Sequence, residues 1–268
     1  MDAGNTCSSV VERMLLRRGL HVMEANPRDG LIFPDDIKED AESLFYDLMK
    51  KYSFRLFMRD AINRQDEFAV DDLLQYATRE CVESYIEALK ESDIIARYSK
   101  SRFVFVVPPV MGFGPTLEWF VAKVFEREFD SPALWGVKLA DTKCGGDCDV
   151  IAEVENQFAY VEVKSSPPKH VTVNEVSTFL SRVDELRPNL AIFFEDTELR
   201  MKDKIVALFK EALGDRLGKN VPAGLMPTRM VRELFKVGQG IYIANSKPDL
   251  VPNLMLCLKD WLSGKGLA

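Results

Sequence analysis

The stretch GGDCDVIAEVENQFAYVEVKSSPP, residues 145–168, decides how this chain reads. Two β-prone runs, DVIAEV and FAYVEVK, flank a polar connection and predict an antiparallel hairpin. A turn centred on Asn156-Gln157 would set Asp149 opposite Lys164, Ile151 opposite Glu162 and Glu153 opposite Tyr160. Directly opposed residues share a face of the sheet. Asp149, Glu162 and Lys164 therefore share one face, and Val150, Ala152, Val154, Val161 and Val163 share the other, which can pack into a core.

Two carboxylates at close range repel unless a cation lies between them. Oxygen ligands with open positions suit magnesium or manganese. A lysine beside such an ion can orient water and stabilise developing negative charge. The expected chemistry is hydrolysis of a phosphodiester. The plain alternative is an amphipathic ribbon whose charged face is solvated.

DVIA followed after a short connection by EVK resembles the signature of the PD-(D/E)XK nucleases, the restriction-endonuclease-like fold. The resemblance implies that Asp149 and Glu162 bind magnesium (or manganese) with the Val163 carbonyl, and that Lys164 positions the attacking water. It also implies a helix before the strands that carries a further glutamate, and Glu118 in GPTLEWF is the match. Acidic residues also favour the first turn of any helix, which gives Glu118 a second reading. Cys148 stands where the motif has proline, and Asp147, of the same parity, competes with Asp149. Asp149 is preferred because it directly precedes the apolar run. Ser165 and Ser166 are candidates to touch phosphate.

Outward from the hairpin, the order of elements supports an α/β core. The helix TLEWFVAKVFEREF has Leu117, Phe120, Val121, Val124 and Phe125 as its apolar set, with Pro115 in its first turn. ALWGVKLA supplies a strand before the hairpin. VNEVSTFLSRVDEL returns to helical spacing, LAIFF is a short buried strand, and a helix is predicted from about Leu199 to Leu213. GIYIA and LVPNLMLCLKDWL add a strand and a last helix. The order α-β-β-β-α-β is an α/β sandwich order, and over about residues 112–262 it resembles a restriction-endonuclease-like core.

Pro108-Pro109 and the glycines of MGFGP place a domain boundary, which gives domains 1–108 and 109–268. Gly112 and Gly114 form no phosphate loop, because the Gly-Lys-Ser/Thr ending is missing. Before the boundary, VVERMLLRRGL predicts a short amphipathic helix, and Asn26-Pro27 and Asp29-Gly30 signal turns. Ile37, Ala41, Leu44, Phe45, Leu48 and Met49 recur at helical spacing, and further helix is expected over FRLFMRDAINR and AVDDLLQYA. Thr78 caps a helix lined by Val82, Tyr85, Ile86 and Leu89, and IIARYSKSRFVFVV predicts a hairpin. Residues 35–107 thus resemble a mainly helical, winged-helix-like domain. Its recognition helix carries Glu80, Glu83 and Glu87, a poor surface for phosphates. The wing carries Arg97, Lys100 and Arg102 in a stretch free of acids, so DNA contact and protein contact both stay open.

Bulk properties bound these readings. The 268 residues, 47% hydrophobic and 29% charged, are ordinary for a globular protein. No segment is apolar enough to span a bilayer or laid out as a secretory signal, so a cytoplasmic protein is expected. Five scattered cysteines argue against a disulfide framework. Cys144 and Cys148 make at most half a zinc site, and His21 and His170 do not complete it. Arg182 and Lys169 read as solvated residues with some reach toward a DNA backbone. The net charge of −7 counts against a nonspecific nucleic-acid binder without excluding a local basic face. The leading expectation is a magnesium-dependent endodeoxyribonuclease with DNA as partner and a homodimer as a candidate assembly. The rivals are a non-catalytic DNA-binding or regulatory protein on the same scaffold, and a protein-interaction module.

Overall fold

A computed structural model describes residues 9–64, 67–140, 142–143, 145–218 and 221–264. The chain divides into two compact units, residues 27–120 and residues 1–26 with 121–268. The sequence boundary at 108/109 therefore moves, and the first 26 residues leave the helical unit. The reason is packing. Helix α1 (Val10–Arg17) is closed by a Ser9/Glu12 capping box and buries Val11, Met14 and Leu15 in the core of the sheet unit. Strand β1 (Val22–Glu24) pairs antiparallel with β5 (Ala133–Leu139) of the same unit.

The unit 27–120 begins with α2 (Glu39–Met49) and α3 (Tyr52–Asn63). Strand β2 (Phe68–Ala69) leads into a single 3-10 turn, Val70–Leu73, where a short α-helix was expected. Helix α4 (Arg79–Glu91) starts where Thr78 Oγ1 accepts the Cys81 N–H, and it buries Val82, Tyr85, Ile86 and Leu89 as its spacing predicts. Strands β3 (Ile95–Arg97) and β4 (Arg102–Phe105) form the expected hairpin, and β2 joins it in the order β2-β4-β3. An aromatic chain fills the unit, with Phe54 packed at 5.6 Å from Phe45 and 5.0 Å from Tyr85. Helix α5 (Gly114–Glu128) carries the chain across the division after Phe120.

The sheet unit continues with β5, β6 (Cys148–Val154), β7 (Gln157–Lys164), α6 (Val173–Leu186) and β8 (Leu190–Glu195). Helix α7 (Ile205–Leu217), strands β9 (Thr228–Arg229), β10 (Phe235–Val237) and β11 (Ile241–Asn245), and helix α8 (Leu250–Ser263) complete it. Helix α7 starts six residues later than expected from Leu199. The α-β-β-β-α-β order expected from sequence is present as α5-β5-β6-β7-α6-β8. The sheet is mixed, in the order β1-β5-β6-β7-β8-β11-β10-β9. Strands β7, β8 and β11 run parallel, with α6 and α7 supplying the crossovers, and the other pairs are antiparallel. The strands β1, β9 and β10, unread in the sequence, extend the two edges. They are only two or three residues long, too short for a periodic signal.

The hairpin register differs from the expected one. Ile151 pairs with Tyr160, Glu153 with Phe158 and Val154 with Gln157. The turn is the two-residue Glu155-Asn156, both left-handed with φ of 50° and 58°. The displacement is two residues, an even number, so Asp149, Glu162 and Lys164 keep a common face. The plain alternative, a ribbon with a solvated charged face, is overturned, and the core is not confined to the valine face. Val150, Ala152 and Val161 on one side and Ile151, Phe158 and Tyr160 on the other are all at 0% exposure. A hairpin inside a sheet with helical crossovers has both faces covered.

Candidate functional site

The site forms where β6 begins and β7 ends. One step beyond the Val150–Val161 pair, the register sets Asp149 beside Glu162. Asp149 takes over a ladder acceptor's role: its Oδ2 accepts the Val163 N–H at 2.6 Å. Glu162 is 4% exposed, and all its visible partners are donors. Lys164 Nζ donates to Oε1 at 2.8 Å. Oε2 accepts from Arg182 Nη1 at 3.0 Å and from the Tyr160 hydroxyl. Lys164 also lies 3.6 Å from Glu175, the capping-box carboxylate of α6. The main-chain carbonyl of Lys164 accepts the Asp196 N–H at 2.8 Å, which pins the end of β7 to the segment after β8.

Parallel pairing places Lys164 level with Glu195, and Glu195 level with Asn245, at the carboxyl ends of three strands. In α/β sheets that edge is where ligands bind. Glu195 and Asn245 are at 0% exposure.

Burial alone would lower the Lys164 pKa, but Glu162, Asp149 and Glu175 outweigh it and raise the value. Lys164 is thus a standing cation and a donor, and it is not a base at neutral pH. Burial, reinforced by Glu162 and Asp149, raises Tyr160 well above the usual phenol range, so its hydroxyl keeps the proton it donates. Burial pushes the Cys148 thiol up to about 12 despite the neighbouring Arg182, which leaves it protonated and unreactive.

The structure thus brings together Asp149, Glu162, Val163 and Lys164. Two of its participants were misread or passed over in the sequence. Arg182, expected to be solvated, has a side chain only 13% exposed and is bonded to Glu162, Tyr160 and the Gly145 carbonyl. Tyr160 is stacked against Phe179 at 5.8 Å. A signal for Arg182 was present: it falls on the α6 stripe between buried Phe179 and Leu186, where an apolar residue is the rule. The repulsion that called for a bound cation is also answered within the protein, because Lys164 and Arg182 balance Asp149 and Glu162.

Among the described residues, no group of three or more His, Cys, Asp or Glu is placed to hold a metal ion. The two carboxylates and the adjacent Val163 carbonyl are hard oxygen donors on neighbouring strands, a set whose chemistry fits magnesium or manganese. The zinc half-site cannot be followed, since Cys144, like Cys7, lies outside the described residues. Cys81, Cys148 and Cys257 are free thiols.

Glu118 is half-buried in the part of α5 that belongs to the unit 27–120. It sits beyond the first turn, which removes the helix-start explanation for an acid there. Lys169, His170 and His21 are exposed, and Ser165 and Ser166 are half-buried after β7. On the β3-β4 hairpin, Arg97 and Lys100 are exposed, while Arg102 is 3.2 Å from Glu67 and 4.0 Å from Asp72. The acid-free wing of the sequence therefore acquires acids in space.

No family model matches the chain, and no curated protein matches it significantly in sequence. Among solved structures it is similar to Can2 from Sulfobacillus thermosulfidooxidans in complex with cyclic tetra-adenylate. That match has a TM-score of 0.51 and 15% identity, and it covers 94% of this chain and 60% of that one. A second match is protein VC1899 from Vibrio cholerae, with a TM-score of 0.49 and 14% identity over 75% of this chain and 55% of that one. The chain thus spans less than two thirds of either. At such identity the likeness to Can2 is one of fold: a mixed α/β architecture over nearly the whole chain. No helix among the described residues is long and apolar enough to cross a membrane.

Proposed function

We propose that this chain is a divalent-metal-dependent nuclease of the PD-(D/E)XK type that hydrolyses phosphodiester bonds in DNA. The observation that carries the reading is the meeting of Asp149, Glu162 and Lys164 at one end of a β-β hairpin within an α-β-β-β-α-β core. The fold likeness to Can2 supports the architecture, and the cyclic tetra-adenylate of that complex is not carried over.

In this reading Asp149, Glu162 and the Val163 carbonyl hold magnesium or manganese, which supplies Lewis acidity at a phosphoryl oxygen. Lys164, kept cationic by the carboxylates around it, orients the attacking water and steadies charge developing on the phosphate. Asp149 is aimed by the Val163 N–H, and Glu162 by Arg182 and Tyr160. The unit 27–120 is assigned as winged-helix-like; its three-stranded sheet in the order β2-β4-β3, with α4 preceding the hairpin, supports that assignment. Arg97 and Lys100 would meet phosphate there, and Arg102 is held back by Glu67.

The test is cleavage of plasmid and branched DNA with and without magnesium. Lys164→Ala should cut about 10²–10³-fold more slowly, the range for loss of one charge-stabilising donor. Equal cutting by both proteins would defeat the assignment. One observation favours a second reading, a non-catalytic binding protein on this scaffold: both oxygens of Glu162 are already engaged by protein donors. Manganese titration separates the two, since a site lost in Glu162→Gln, which keeps the shape of the cluster, belongs only to the nuclease.

A further inference from the structure

Resting on the nuclease reading, we propose that Arg182 is a positioning residue that decides which oxygen of Glu162 is offered to a divalent cation, and that it holds the resting affinity for that cation down. The two oxygens of Glu162 are not equivalent. Oε2 accepts from both Arg182 and Tyr160, while among the described residues Oε1 accepts from Lys164 alone. A carboxylate gripped on one oxygen by a guanidinium and a phenol presents the other, so Glu162 serves a cation through Oε1, in exchange for the Lys164 ammonium.

The grip is built from three separate pieces of chain. Helix α6 carries the guanidinium, β7 carries Tyr160 and Glu162, and the loop before β6 closes over the far side. Arg182 Nη2 donates to the Gly145 carbonyl at 3.2 Å. Gly145 and Gly146 hold φ of +58° and +74°, and a Cβ on Gly146 would stand 2.5 Å from Nη2. A Cβ at position 146 would push on the tip of the Arg182 side chain, and the left-handed φ there favours glycine in its own right. This accounts for the GG of the opening motif, which the metal-binding residues leave unexplained.

A fixed positive charge behind a cation site opposes the incoming ion, while the hydrogen bonds it makes fix the ligand's aim. The two effects separate by mutation. Arg182→Met removes both. Its affinity for manganese, measured by calorimetry on the full chain, should rise about tenfold as the opposing charge is lost. Its cleavage rate at saturating manganese should fall about 10–100-fold as the carboxylate loses its aim. Gly146→Ala and Tyr160→Phe keep the charge and disturb only the grip, so their rates should fall with manganese affinity within about twofold of wild type.

Manganese affinity that falls together with rate in Arg182→Met would overturn the proposal, because the arginine would then serve only the fold. So would unchanged behaviour in both assays. If Arg182→Met does not fold, Gly146→Ala and Tyr160→Phe decide: full cleavage rates in both overturn the assignment. A wild-type protein with no Glu162-dependent manganese site fails the nuclease reading itself, a result distinct from any of these.

Discussion

Replacing Glu162 by alanine should unfold the site before it disarms it. Its side chain is 5% exposed and stands between Lys164 and Arg182, themselves 19% and 13% exposed. Deleting the carboxylate leaves two cations and the Tyr160 hydroxyl facing each other with little water to solvate them. Breaking a buried ion pair from one side typically costs about 3–5 kcal/mol, because the partner charge stays buried. Arg182 is poorly placed to adapt, since its Nε is already buried with no hydrogen-bond partner among the described residues. Glu162→Gln keeps the shape and part of the bonding, and should lose about 1–3 kcal/mol. Urea denaturation of the full chain, followed by tryptophan fluorescence and circular dichroism, reads both. The double variant Glu162→Ala/Arg182→Met should be more stable than the sum of the single losses, because it removes the stranded guanidinium. High salt should recover little, as buried pairs are weakly screened. A loss in Glu162→Ala below about 1 kcal/mol, the range of an exposed pair, would refute the reasoning and mean that water reaches the cluster freely.

Two further outcomes follow from the sheet unit. Glu155 and Asn156 occupy left-handed positions that Asn-Gly fills better, so Glu155→Asn with Asn156→Gly should stabilise the fold by about 1 kcal/mol in the same urea assay, and a loss would argue against the turn. For Asp260, burial works to raise the pKa, but hydrogen bonds from Lys236 (2.7 Å) and Tyr242 (2.8 Å) overcome it and hold the value below the ordinary 3.8. That stabilisation is full above 3.8 and is lost as pH falls through the lower folded value, so Asp260→Asn should be less stable than wild type at pH 7, with the gap closing in acid.

The comparison between sequence and structure is sharpest on the hairpin. Its common face for Asp149, Glu162 and Lys164 was legible because strand side chains alternate with period two, and an error of two residues in register leaves the parity intact. The α-β-β-β-α-β order was legible because each element is long enough to show its own spacing. The helix α4 was legible down to its cap and its four buried residues.

What the sequence by itself determined, then, is local: periodicity, caps, and which residues share a face. Only the tertiary structure decided burial and charge environment. Nothing in DVIAEV or FAYVEVK says that α6 will cover their charged face, or that an arginine eighteen residues beyond Lys164 will grip Glu162 from behind. Nor does the acid-free wing announce that Glu67 will reach Arg102, or the N-terminal helix that it will join the sheet unit. The reason is physical. Alternation and helical spacing are properties of a few consecutive bonds, whereas the balance of a buried charge is set by whichever distant groups the folded chain brings within a few ångströms.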